Sequence, residues 1–165
     1  MKNFKLFLTV ILLCLIILGS LSSCSSKKDD LINNISNFIN THMKGDISEK
    51  WSYEITKFKI SKDGTLIYHV ITSNSESLDK KNYDEYKTNL KNIDPSRIKN
   101  NYSTLGLYCK DSNNCIELRF KRELSNMSKF ITNKQNVMFV SVASASTTDK
   151  DNMEKEFEQL ISLSN

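Results

Sequence analysis

The chain has 165 residues, is 39% hydrophobic, 25% charged and 9% aromatic, and carries a formal charge of +4. These values fit one globular domain and exclude a disordered chain or a repeat array. Lys and Arg alternate with Asp, Glu and Asn instead of gathering in blocks, the pattern of a solvated mixed surface, so nucleic acid is not among the expected partners.

Met1 to Lys5 is a short positive segment, and Leu6 to Gly19 is an uncharged apolar run. The run matches the ~7–15 residues of a secretory leader and falls short of the ~20 that cross a bilayer. Loss of this leader with Lys2 and Lys5 lowers the formal charge from +4 to +2. Leu21-Ser22-Ser23-Cys24 follows: a branched apolar residue, two small residues and a cysteine. It resembles the bacterial lipobox. The resemblance implies a signal peptide over residues 1–23, a diacylglyceryl group on the Cys24 sulfur, cleavage before Cys24, and acylation of the new amino terminus, as with palmitate. Two or more acyl chains, each contributing ~0.8 kcal/mol per buried CH₂, hold a protein on a membrane durably where one does not. The expected location is the cell envelope, lipid-anchored at the outer membrane. Ser25-Ser26-Lys27-Lys28-Asp29-Asp30 reads as a polar tether, so that residues 24–30 link the anchor to a domain over 31–165. It also resembles the short Lys/Asp export signal of Bacteroidota surface lipoproteins, envelope proteins of unassigned function among them. Both readings stay open, as does the face of the membrane.

Of the four cysteines, Cys14 leaves with the leader and Cys24 takes the lipid, leaving Cys109 and Cys115. Two neighbouring thiols in an exported protein oxidise to a disulfide. Lys110-Asp111-Ser112-Asn113-Asn114 between them is turn chemistry, so the expected bridge staples a hairpin near its tip. Closing a loop of about seven residues contributes about 2–2.5 kcal/mol by the chain-entropy argument. The spacing fits neither repeated zinc-ligand pairs nor a C-x-x-C redox motif.

Leu31, Ile35, Phe38 and Ile39 form one apolar stripe, which predicts a helix from about Asp30 to Lys44 stopped by Gly45. Trp51, Tyr53 and Ile55 alternate, then Phe58 and Ile60 alternate in the opposite parity, which predicts a strand bulged near Thr56. A three-residue loop with Gly64 at positive φ joins it to a strand from Thr65 to Thr72, with Ile60 opposite Leu66 and Phe58 opposite Tyr68. Tyr83 to Ile93 suits helix or strand, and the strand is preferred because Asp94-Pro95 starts a fresh turn. Leu105 to Lys110 and Cys115 to Lys121 are expected to pair as the disulfide hairpin. Asn136 to Ser144 is the most continuous apolar strand and is expected at the sheet centre. Glu123 to Gln135 gives no clear signal. Thr147-Thr148-Asp149 caps a last helix with a stripe of Met153, Phe157, Leu160 and Ile161.

The expected fold class is α+β: an antiparallel sheet of five or six strands built from hairpins, with an N-terminal and a C-terminal helix. The element order resembles a pleckstrin-homology-like barrel. The Leu-Tyr-Cys turn Cys-Ile segment also resembles a hairpin of small exported proteins of unassigned function.

His42 and His69 lack a second ligand at metal-binding spacing. Gly45, Gly64 and Gly106, the glycines beyond the leader, build no phosphate loop or nucleophile elbow. The carboxylate pairs Asp84-Glu85 and Glu154 with Glu158 lie in hydrophilic runs. Trp51, Tyr53, Tyr68, Tyr83, Tyr86, Tyr102 and Tyr108 have strand spacing and read as half-buried sheet residues, or as a sugar or peptide platform where exposed. The expectation is therefore a binding module without catalytic residues, cofactor or metal, held on the membrane by its lipid and engaging an envelope protein or ligand. Two alternatives stand beside it: an envelope hydrolase whose site is assembled from distant residues such as His69 and Glu117, and an immunity or inhibitor lipoprotein.

Overall fold

The computed structural model describes residues 26–77, 80–101, 103–125, 127 and 129–165. Cys24, the rest of the lipobox and Tyr102 lie outside the described residues. The architecture is α+β, with two helices against antiparallel strands in two sheets.

Helix α1 covers 26–41, so it starts before the expected Asp30 and takes in Ser26 to Asp30, which the sequence assigns to the tether. Its stripe behaves as read: Leu31, Ile35 and Ile39 are buried and Phe38 is partly so. The helix ends before Lys44, and Gly45 does not terminate it. Gly45 belongs instead to strand β1 (Lys44–Asp46), where a Cβ would sit 3.0 Å from the Tyr53 ring and 3.2 Å from Ser144 Cβ. The His42 ring lies tilted against Phe38 with centroids 4.4 Å apart, and its Nδ1 donates to the Phe38 carbonyl at 2.9 Å, which also accepts from His42 N at 3.2 Å.

Strands β2 (Trp51–Ile60), β3 (Thr65–Asn74) and β4 (Lys81–Asn89) follow. The β2–β3 register places Ile60 opposite Leu66 and Phe58 opposite Tyr68, and it shifts between Ile55 and Lys57, so Thr56 is the bulge. Gly64 has φ +82°, the conformation its loop requires. Beyond β4, Asp94 caps a 3₁₀ turn over Pro95–Arg97, its side chain accepting from Ser96 N. The remaining strands are β5 (Lys99–Asn101), β6 (Thr104–Tyr108), β7 (Ile116–Arg122), β8 (Ile131–Gln135) and β9 (Val137–Ser141). Helix α2 is Thr147–Ser162; its cap is Ser146, one residue before the expected start, with Asp149 N donating to the Ser146 hydroxyl at 3.2 Å.

The six-stranded sheet has the order β1-β2-β3-β4-β7-β8 and the smaller sheet β5-β6-β9. This corrects two expectations. β6 and β7 do not pair with each other: β6 lies between β5 and β9, and β7 between β4 and β8. Tyr108 faces Val137 and Ile116 faces Gln135, so β6 and β7 run in series along the β8–β9 segment, which turns from one sheet to the other at Asn136. The 109–115 segment is an excursion from this long ribbon, closed at its base by the Cys109–Cys115 disulfide, with Cα atoms 5.8 Å apart. Asp111, at φ 53°, makes the reversal inside it, and Asp tolerates this region better than most residues. β9, moreover, is an edge strand of the smaller sheet, not a central one. Its apolar run is explained by burial of Met138 and Val140 on one face, followed by Val142 beyond the strand.

One core joins both sheets and both helices. Ile35 and Ile39 of α1 and Phe157, Leu160 and Ile161 of α2 are buried with Tyr53, Ile55, Leu66 and Tyr68 from the large sheet and Leu105, Leu107, Met138 and Val140 from the small one. Burying side chains of this size contributes roughly 1.5–3 kcal/mol each. Two tyrosines add polar ties. The Tyr68 hydroxyl accepts from Ser141 N at 3.0 Å, and burial pushes its pKa up to about 12. The Tyr53 hydroxyl donates to the His42 carbonyl at 3.0 Å and lies 3.2 Å from Ser144 Oγ.

Candidate functional site

The two ends of the large sheet differ in chemistry. At one end the N-terminal turns of α1 meet the β2–β3 loop, with Lys62 paired to Asp29 at 3.1 Å. Asn89 Nδ2 donates to the Asp63 carbonyl, and Leu90 N to the Gly64 carbonyl, so the end of β4 closes the same end. The surface there is polar. At the other end are the β1–β2 hairpin, the β3–β4 connection and the junction of β7 with β8. Among the described residues the exposed large hydrophobics are Ile47, Trp51, Phe130, Ile131 and Phe139, and the first four lie at this second end.

The β1–β2 hairpin is built by local hydrogen bonds. Ile47 N and Ser48 N both donate to the Trp51 carbonyl, at 2.7 and 3.1 Å, and Trp51 N donates back to the Ser48 carbonyl at 3.3 Å. The β3–β4 connection is tied to it by Ser75 N on the Lys50 carbonyl at 2.9 Å and by the Lys50–Glu76 ion pair. Trp51, opposite Asn74, keeps 36% of its surface exposed. Beside it lies a cleft of about 260 Å³ lined by Asp46, Ser48, Glu49, Lys50, Trp51, Ser52, Ser73, Asn74 and Ser75. A second depression of about 350 Å³ shares Asp46, Ser52 and Ser73 with it and reaches Lys44, Tyr53 and Glu54.

Strand register explains the shared floor. Asp46 faces Ser52, Ser52 faces Ser73, and Ser73 faces Lys81, so these side chains form one row across four strands. At the far end Lys44 Nζ sits 2.9 Å from Glu54 Oε1, and its hydrogen bond and charge hold the Glu54 carboxyl below the usual range. Asp46 and Glu49 have no ion-pair partner among the described residues. The cleft is therefore lined by four serines, an asparagine and two carboxylates without an ion-pair partner among the described residues, while the Trp51 side chain, in step with Tyr53, projects from the opposite face of β2 to Ser52.

The residues singled out from the sequence are dispersed. Asp84 and Glu85 point to opposite faces of β4. Glu85 pairs with Arg119 on the outer face at 2.8 Å, while Asp84 lies 2.6 Å from Arg122 Nη2 on the inner face. Burial raises the Asp84 pKa, against the opposing hydrogen bond and charge of Arg122. His69 lies opposite Lys57 and Glu85 on the outer face, and Glu117 lies opposite Lys87 one row away. Burial lowers the His69 pKa, with the nearby Lys57 and Arg119 charges adding to the effect and Glu85 opposing it. Glu154 is occupied on α2, accepting from Asn100 N at 3.1 Å. Tyr53 and Tyr68 are sheet residues as read but buried outright where half-burial was expected, and Trp51 is the exposed aromatic beside the cleft.

The Asp46, Ser52 and Ser73 row escapes sequence reading because Asp46 follows a segment read as helix, and only the three-residue β1 brings it beside Ser52. The visible signal was the polar alternation of Ser52 and Glu54 between Trp51, Tyr53 and Ile55.

No known protein family matches the chain, nor does any curated protein or solved structure. The likeness to a pleckstrin-homology-like barrel thus rests on element order alone.

Proposed function

We propose that the chain is a bacterial envelope lipoprotein, anchored through Cys24, that works as a non-catalytic binding module and presents the Trp51 end of its sheet away from the membrane. The observation that carries this reading is the placement of α1. The chain is already helical at Ser26, the first described residue and two after Cys24, and this part of α1 lies at the polar end of the sheet. Two residues reach at most ~7 Å, so a lipid on Cys24 holds that end against the bilayer. β2, ten residues long, then carries Trp51 to the opposite end, roughly 30 Å away. Exposed apolar side chains and the trough are thereby turned toward possible partners.

Metabolic labelling with an alkyne palmitate analogue, followed by membrane fractionation, tests the anchor. The expected result is label and membrane association in the wild-type chain, with both lost in Cys24→Ala. Equal label in the variant would exclude Cys24 as the attachment point, and a soluble, unlabelled wild-type chain would end the lipoprotein reading.

A further inference from the structure

We propose that Lys59, Lys87 and Lys134, a row of cations on the outer face of the large sheet, bind the anionic headgroups of the membrane that holds the chain. This rests on the anchored orientation argued above and adds a second membrane contact to it.

The row is made by register. Lys59 faces Ile67, Ile67 faces Lys87, Lys87 faces Glu117 and Glu117 faces Lys134, so five strands contribute to one line. The chain neighbours Ile60, Thr88 and Leu118 are buried, which turns this line to the opposite, solvent side of the sheet. The three lysines are exposed, and two strand spacings set neighbours in the row roughly 10 Å apart. Exposed Lys57, opposite His69, lies one row away on the same face. Lys57, Lys59, Lys87 and Lys134 have no ion-pair partner among the described residues. Glu117 is the one carboxylate in the line.

The position of the row selects the partner. Lys59 and Lys134 stand one residue from the end of their strands and Lys87 two, all at the end where the β2–β3 loop meets α1. At ~3.3 Å per residue, each ammonium on its flexible stem reaches the surface against which Cys24 holds that end. Lys91 is exposed just beyond β4. Lys28 of α1 joins the Thr65 hydrogen bonds in keeping the Asp63 carboxyl of the loop below the usual range. The Trp51 end carries no such surplus: Lys44, Lys50 and Lys121 are paired there with Glu54, Glu76 and Glu123, and Asp46 and Glu49 offset Lys81 and Lys129. An anionic surface therefore attracts the anchored end and not the other. A protein partner is disfavoured because half-buried Ile67 is the only apolar member of the row, and a docking centre needs more. The acyl chains alone retain the domain but let it turn about Cys24, whereas each lysine near an anionic surface favours the close orientation roughly fivefold.

Lysine acetylation, read residue by residue by mass spectrometry, tests this on the lipidated chain in vesicles of phosphatidylcholine, alone or mixed with phosphatidylglycerol. Neither lipid has an amine to compete. The expected result is acetylation of Lys59, Lys87, Lys134 and Lys91 about fivefold slower on the mixed vesicles, with Lys44 and Lys50 unchanged. The difference should vanish near 1 M salt, where charges are screened within about 3 Å. In Lys59→Glu/Lys87→Glu/Lys134→Glu the slowing at Lys91 should disappear, and its persistence would refute the role of the row. Equal rates at the three lysines on both vesicles would overturn the proposal, as would equal slowing at Lys44 and Lys50. Slowing by inorganic phosphate on pure phosphatidylcholine would also overturn it, by showing a site for the free anion. Flotation with phosphatidylcholine vesicles reads the anchor separately. A chain that floats without headgroup-dependent slowing overturns this proposal alone, and one that does not float overturns both.

Discussion

Removal of the Cys109–Cys115 disulfide tests the reading that it closes a small excursion from a continuous ribbon. The bridge restrains a loop of about seven residues, and the chain-entropy relation gives about 2–2.5 kcal/mol at 25 °C. For a domain of about 140 residues, an unfolding entropy near 2.1 cal/mol/K per residue converts this to a fall in Tm of roughly 8 °C. The sheets should survive, because Cys109 N still donates to the Asn136 carbonyl at 2.8 Å and Thr88 Oγ1 to the Cys115 carbonyl at 3.1 Å. The perturbation is made twice, by reducing the wild-type chain and by Cys109→Ala/Cys115→Ala. The double variant also loses sulfur packing at buried Cys109 and should melt slightly lower than the reduced chain. Thermal melts by circular dichroism give the shift, and amide exchange locates the loosening, expected at 109–115 and at the Ile93–Cys109 bridge. A shift below about 2 °C would refute the entropic argument. Loss of protection throughout β6, β7, β8 and β9 would show instead that the disulfide organises the ribbon.

Two titrating groups give further expectations. Burial raises the Asp84 pKa in the folded chain, so its ionisation above the carboxylate range costs stability. Asp84→Asn should therefore be more stable than wild type at pH 7, with the gain fading as pH falls through the carboxylate range. Urea unfolding at pH 7 and pH 3.5 decides this, and a less stable variant at pH 7 would show that the Arg122 pair outweighs desolvation. The His69 pKa is lowered, so the folded state binds its proton less readily than the unfolded chain. The stability tied to the neutral ring is present above the ordinary His value of 6.5 and is lost as pH falls through the folded pKa. A ring-proton NMR titration should place its midpoint below 6.5; a midpoint above it would contradict the burial argument.

Local pattern carried much of the fold. The β2–β3 hairpin was legible to its register because side-chain alternation and the Asp63-Gly64 loop agree, and Asp63 accepts from both Thr65 N and Oγ1 within that loop. The stripes of α1 and α2 face the core as expected. Long-range pairing was less visible. The turn-forming residues between Cys109 and Cys115 look like a hairpin tip because composition reports a reversal without saying what the flanking strands pair with. β8 was silent for a physical reason: at the sheet edge Ile131, Thr132, Asn133 and Lys134 are all exposed, so neither face imposes an apolar period. The trough depends on side chains from β1, β2 and β3 meeting across strands, which no single stretch of sequence encodes.

The orientation of the anchored domain is the claim from which the proposed function follows, and Trp51 fluorescence in vesicles tests it most directly. The lipidated full-length chain is reconstituted into vesicles containing lipids with nitroxide-labelled headgroups, beside a Trp51→Phe/Lys62→Trp variant that moves the indole to the polar end of the sheet. The expected result is strong quenching of the indole at position 62 and none of Trp51, roughly 30 Å farther along β2. Equal quenching of the two indoles, or quenching of Trp51 alone, would contradict the orientation and with it the assignment of the Trp51 end as the binding face.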